Sequence, residues 1–188
     1  MKNNILILSL FFLGLLKIIS IYLTNFNLFG DEAQYWLWSK NLDFGYYSKP
    51  PLLSWFIGLY TIVFGDGFLT LKMLPKLVYL LTAFAIFNLS RSIGLDKKDS
   101  LTCSLIFLIL PAVSLSSFIL STDIFLLLFW TLALNEFIKI IKKSSIKNFV
   151  LLGIFLGLAF LSKYAAIYFI VSILVYIVID KPFRGFLL

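Results

Sequence analysis

Apolar residues fill almost every position from Ile5 to Leu23, and long apolar runs recur along the chain. A helix that crosses a bilayer needs roughly 20 mostly apolar residues. That length predicts spans over Ile5–Leu23, Phe68–Ser90, Leu101–Leu120 and Asp123–Ile141. The run Phe149–Ile179 is too long for one crossing and is interrupted at Ser162-Lys163. Two short helices meeting there are predicted, each reaching only about 20–24 Å, so tilt or local thinning of the bilayer is expected. Pro75 and Pro111 fall inside the second and third spans, where each removes a backbone hydrogen bond and should bend its helix. The small-xxx-small pattern from Gly153 to Gly157 offers a face for close packing.

The apolar stretch Pro51–Gly65 is short for a span, and charge decides its placement. With the N-terminus cytoplasmic and this stretch lying along the interface, ten of the sixteen Lys and Arg residues face the cytoplasm: Lys2, Arg91, Lys97, Lys98, Lys139, Lys142, Lys143, Lys147, Lys181 and Arg184. Lys40, Lys49 and Lys163 fall outside, while Lys17, Lys72 and Lys76 lie within or at the ends of helices. A crossing at Pro51–Gly65 would put most basic loops outside, against the positive-inside bias. The expected fold is therefore an all-α integral membrane protein of about six transmembrane helices, with interfacial helices in a first outer loop over residues 24–67.

Composition supports this class. The chain is 61% hydrophobic and 13% charged, against about 45–50% and 25% in soluble domains. The net charge of +7 is scattered between apolar runs, with no basic patch that would fit a nucleic acid. Cys103 is alone, which excludes a disulfide and a cysteine metal cluster. With no His in the sequence, acid–base chemistry falls to Asp, Glu, Lys or Tyr. The basic start followed by a long apolar run, without a small-residue cleavage site, reads as an uncleaved signal anchor.

The polar features of interest share the outer side. Asp31 and Glu32 precede the aromatic stretch "AQYWLW", where they can cap a helix start or, with hydration reduced near a bilayer, serve as bases. The Trp residues suit a headgroup belt. Lys49 stands before Pro50-Pro51, which forces extended geometry and then opens a helix. Its ammonium can snorkel to the interface or contact a phosphate. Asp123 begins the fourth span, with Ser121 or Thr122 as possible caps, and Lys163 lies at the outer turn of the interrupted run. Charges placed at a membrane are costly and mark functional candidates.

"GDEAQYWLWSKNLDFGYYSKPPLLSW" (Gly30–Trp55), "STD" (Ser121–Asp123) and "GLAFLSKYAA" (Gly157–Ala166) together resemble the N-terminal half of membrane glycosyltransferases of the GT-C superfamily. The closer likeness is to the aminoarabinose-transferase-like branch related to protein mannosyltransferases, and it runs over nearly all of residues 1–188. The resemblance implies transfer of a sugar from a polyprenyl-phosphate donor to a lipid A, glycan or protein acceptor on the outer face of the inner membrane. It implies Asp31 as catalytic base, Asp123 as a second acid near the site, and Glu32, Lys49 and Lys163 as substrate-binding residues, with Lys49 near the donor phosphate. Inversion at the anomeric carbon is expected, without a cofactor. Ser48 stands where relatives often carry an acid or histidine, so no metal is expected there. No Gly-rich nucleotide fingerprint and no Asp-x-Asp pair occurs. Such enzymes carry further helices and a C-terminal domain. The chain is thus expected to be the N-terminal part of one, with an inactive fragment or non-catalytic membrane partner as the alternative. A transporter, with Lys17, Asp123 and Lys163 along a path, is a third reading.

Overall fold

A computed structural model describes residues 2–23 and 27–179. The first residues of the expected outer loop, 24–26, and the basic residues Lys181 and Arg184 lie outside the described residues. The described chain is helical, without strands. Its helices are α1 (Lys2–Leu23), α2 (Gly30–Trp38), α3 (Leu52–Phe64), α4 (Phe68–Ile93), α5 (Lys97–Ile109), α6 (Pro111–Ser116), α7 (Thr122–Lys142), α8 (Ile146–Ser162) and α9 (Ile167–Ile179), with a 3-10 turn at Tyr164–Ala166 before α9. Among them α1, α4 and α7 are long and apolar enough to cross a bilayer; α3, α8 and the Tyr164–Ile179 segment are shorter apolar helices.

The core forms where α7 packs on α4 and α8, with α5 on the other side of α4 and α1 against α4 and α5. Tyr79, Leu108, Leu120 and Ile124 are nearly or wholly buried in it. Leu8, Phe11, Phe84 and Val178 remain exposed, as expected of side chains that meet lipid rather than water.

Two expectations change. The third span is not one helix: Leu110 takes an extended conformation (φ −49°, ψ 129°) and Pro111 opens α6. A proline pushes its predecessor out of the helical region, so the chain breaks there rather than bending. The Gly153–Gly157 pattern does not mediate packing among the described residues, since a side chain at either glycine would meet nothing within 4 Å. Close approach occurs at Gly58 instead, where a Cβ would lie 3.2 Å from the Ser39 carbonyl oxygen. That contact lets α3 lie against the end of α2. The break at Ser162-Lys163 is present: Lys163 is extended (φ −159°) between α8 and the 3-10 turn.

Candidate active site

Glu32 organises the end of the molecule where α2, α4 and α7 begin. It is fully buried at the third position of α2. Its Oε2 accepts the backbone N–H of Phe29 at 2.7 Å, the carboxylate half of a capping box. Both oxygens accept from Lys72 Nζ, at 2.8 and 2.6 Å, and Oε1 also accepts the Leu120 N–H at 2.7 Å. Lys72 comes from the first turns of α4 and also donates to the Phe118 carbonyl at 3.0 Å. The rings of Phe29 and Phe68 lie 5.2 and 5.8 Å from its ammonium. One turn deeper, the fully buried Lys76 donates to the Ser117 carbonyl at 3.3 Å and sits 3.5 Å over the Phe118 ring. Two lysines and one glutamate therefore bind α2, α4 and the non-helical segment 117–121 together.

This brace controls where Asp31 sits. Asp31 precedes Glu32 in the first turn of α2, is exposed, and has no side-chain partner among the described residues. One helical turn on, Tyr35 is buried. Burial raises the affinity of its phenol for the proton, and the negative fields of Asp31 and Asp123 act in the same direction. The two acids thus lie within electrostatic reach of one phenol. Asp123, in the first turn of α7, accepts from Lys163 Nζ at 2.6 Å, and this pair is part-exposed at 48% and 38%.

Lys49 reaches the same end of the molecule along another path. Tyr46 and Lys49 exchange backbone hydrogen bonds of 3.2 and 3.4 Å. Tyr46 stacks on Trp38 with ring centroids 4.6 Å apart, and its hydroxyl donates to the Trp38 carbonyl at 3.0 Å. Trp55 donates its indole N–H to the Asp43 carbonyl at 2.8 Å. Pro50 and Pro51 are buried, Pro51 caps α3, and Lys49 is half-buried with no side-chain partner among the described residues. One turn into α3, Phe56 packs on Phe125 at 4.4 Å, two residues beyond Asp123. The aromatic residues therefore act as loop staples as well as surface.

Asp31, Asp123, Lys49 and Lys163 accordingly belong to the ends and entries of α2, α3, α7 and α8 that pack on one another. Glu32, expected beside a substrate, is instead inside the brace: every oxygen is taken and no surface is exposed. Lys72, Lys76 and Tyr35 carry the geometry and were not singled out as site residues from the sequence. A usable signal was present, since two lysines four apart on an otherwise apolar helix share one face. Among the described residues, no three His, Cys, Asp or Glu side chains gather closely enough to hold a metal ion.

Comparison with known proteins places the chain among membrane glycosyltransferases by sequence. The chain is 34% identical over 168 residues to the lipid A galacturonosyltransferase RgtD of Rhizobium johnstonii, covering 89% of this chain and 35% of that protein. It is 28% identical over 130 residues to the undecaprenyl phosphate-alpha-4-amino-4-deoxy-L-arabinose arabinosyl transferase of Wigglesworthia glossinidia brevipalpis, covering 65% of this chain and 22% of that protein. The chain thus spans about a third or less of the length of these relatives. No solved structure matches it significantly. The sequence profile of the dolichyl-phosphate-mannose-protein mannosyltransferases matches residues 48–188, from the serine before Lys49 to the last residue, and the chain belongs to that family.

Proposed function

We propose that this chain forms the catalytic entry of a membrane glycosyltransferase that moves a sugar from a polyprenyl-phosphate donor to a lipid, glycan or protein hydroxyl outside the cytoplasm. The observation that carries the proposal is the pairing of a free, exposed Asp31 with a buried neighbour, Glu32, that anchors its helix to the segment leading into Asp123. An unpartnered carboxylate on a rigid mount suits a general base.

In the reaction the acceptor oxygen attacks the anomeric carbon from the face opposite the phosphate, and Asp31 takes the acceptor proton. The new C–O bond forms as the bond to the phosphate oxygen breaks, which inverts the anomeric centre. The departing polyprenyl phosphate carries the electron pair, and the unpaired ammonium of Lys49 offsets its charge. Lys163, held by Asp123, is a second cation for the same anion or for the sugar. Glu32 and Lys72 position the base rather than touch substrate. No cofactor or metal takes part.

The test is transfer from a polyprenyl-phosphate-linked sugar in membranes carrying the protein. Asp31→Asn should reduce transfer at least a hundredfold and Lys49→Ala at least tenfold, with both variants inserted at the wild-type level. Transfer that continues at the full rate in both variants overturns the assignment.

A further inference from the structure

The phenol of Tyr35 stands beside the proposed base without a protein partner. Tyr35 follows Asp31 by four residues, so the two share one face of α2. Tyr35 is only 3% exposed. Its ring lies in the apolar cluster that includes Leu53 of α3 and Ile124 and Phe125 of α7, and it tilts against Trp38 with centroids 5.8 Å apart. Ile124 and Phe125 directly follow Asp123, and Glu32 ties α2 to the segment before them through its 2.7 Å contact with the Leu120 amide. The ring is therefore held where α2 meets the start of α7. Its hydroxyl makes no hydrogen bond among the described residues. Among those residues, Glu136 Oε2 is the one buried side-chain oxygen that is both closed to solvent and without a partner. The Tyr35 hydroxyl, equally unpartnered, is thus open to solvent at its tip although its ring is enclosed.

Its neighbours decide what sits on that hydroxyl. Burial, then the negative fields of Asp31 and Asp123, strengthen the phenol's hold on its proton, so it meets a ligand as a neutral donor. A phosphate would accept from it but is repelled by both carboxylates, and Lys49 and Lys163 serve a phosphate better. An ammonium would suit the carboxylates but accepts nothing from a phenol. A hydroxyl group does both, since its oxygen accepts from the phenol while its own O–H donates to a carboxylate. The attacking hydroxyl of the acceptor is the poorer choice, because a donor on its oxygen ties up electrons that must form the new bond. A ring hydroxyl of the transferred sugar carries no such penalty.

Resting on the glycosyltransferase reading of this site, we propose that Tyr35 is a substrate-binding residue whose phenol donates to one ring hydroxyl of the transferred sugar. That hydroxyl donates in turn to Asp123, whose Oδ1 accepts from Lys163 and whose Oδ2 has no partner among the described residues. Asp31 stays free for the acceptor proton. The sugar is thereby oriented with its anomeric carbon between the base and the cations that face the phosphate. A tyrosine that only packs needs its ring; an open, unpartnered hydroxyl on an enclosed ring adds nothing to the packing.

The full chain in detergent tests this by native mass spectrometry with undecaprenyl phosphate, bare or carrying mannose, galacturonic acid or 4-amino-4-deoxyarabinose as a neutral, an acidic and a basic sugar. At least one sugar should tighten binding to the wild type over the bare lipid. Tyr35→Phe keeps the ring and should bind the bare lipid as the wild type does. It should bind the sugar-bearing lipid about two- to tenfold more weakly, the worth of one neutral hydrogen bond. Among monodeoxy forms of that sugar, one should bind the wild type as weakly as the parent binds Tyr35→Phe, and the variant should not tell that form from the parent. Thermal unfolding of Tyr35→Phe should match the wild type, since no protein hydrogen bond is lost. No gain from any sugar, sugar binding unchanged in Tyr35→Phe, or an equal loss for the bare lipid overturns the proposal. The transfer assay separates this role from the function it rests on. Transfer lost in Asp31→Asn with normal sugar binding by Tyr35→Phe removes the Tyr35 role alone. Full transfer in Asp31→Asn and Lys49→Ala, with sugar binding weakened in Tyr35→Phe, removes the catalytic assignment and leaves the sugar contact standing.

Discussion

Removing Lys72 exposes how the starts of α2, α4 and α7 are held together. In the wild type its ammonium lies 2.6 Å from Glu32 Oε2. At an effective dielectric constant of about 20, the gross attraction at that separation is about 6 kcal/mol. Desolvating each ion costs several kcal/mol, so the intact pair adds little net stability. Lys72→Met removes the attraction and leaves Glu32 buried and charged, with only the Phe29 and Leu120 amides as donors. Breaking a buried pair on one side typically costs about 3–5 kcal/mol. Glu32→Gln should cost a similar amount, because it strands the ammonium and takes one acceptor from the amides. The double variant strands no charge and should be less destabilised than the sum of the single changes by about 2–3 kcal/mol, the upper range for contacting residues. Reversible unfolding of the four proteins in mixed micelles measures the cycle. The same variants should lose transfer beyond their loss of folded protein, since a displacement of about 1 Å in a reacting group can cost about a hundredfold. Strictly additive single effects would refute the brace.

Three further outcomes follow from the same geometry. Asp123→Asn should change stability by less than about 1 kcal/mol because its pair with Lys163 is part-exposed, yet it should reduce sugar transfer at least tenfold; a large stability loss with normal transfer would reverse that assignment. Hydrogen bonds from Lys40 and then Trp36 hold the Asp66 carboxyl below the usual range. Its stabilising effect is therefore complete above the unfolded value of about 3.9 and fades as pH falls through the lower folded value. Trp fluorescence should show a transition below about pH 4 that Asp66→Asn removes. Burial, reinforced by Asp31 and Asp123, raises the Tyr35 phenol, so the phenolate absorbance lost in Tyr35→Phe should belong to the latest-titrating part of the curve, and an early component lost there would contradict the burial.

The apolar pattern specified the elements well because length and charge bias are local. The predicted starts of α4 and α7 coincide with the observed ones to within a residue, and the break at Lys163 is where the polar interruption placed it. The division at Pro111 was misjudged: a proline can bend a helix or end it, and which occurs depends on whether the freed backbone groups find partners elsewhere. The partner of Glu32 was equally hidden. Lys72 is 40 residues away in sequence and the Leu120 amide 88, and nothing local distinguishes a buried brace from a second acid at a catalytic site. Asp31 and Glu32 are adjacent, yet successive helical positions face about 100° apart. Only packing revealed that one side chain points outward and the other into the core.

The end of the short helix α6 at Ser116 and the lysines on α4 are two parts of one solution. Ending a helix between apolar neighbours frees carbonyl and amide groups that hydrocarbon cannot satisfy. In the segment 117–121 those groups meet side chains: Lys76 takes the Ser117 carbonyl, Lys72 takes the Phe118 carbonyl, and Glu32 takes the Leu120 amide. Lys72 and Lys76 lie only about 6 and 12 Å along α4 from its first residue, so the unwound backbone stays near the start of that helix. Two ammonium groups against one carboxylate leave an excess of positive charge, which the Phe118, Phe29 and Phe68 ring faces partly offset. The segment so fixed runs directly into α7 and Asp123, while the carboxylate that fixes it is the immediate neighbour of Asp31. A glutamate at position 32 thereby stabilises a helix break and ties the start of α2 to the segment that leads into α7. An aspartate there would be one methylene too short to keep its contact with the Leu120 amide without drawing α2 inward.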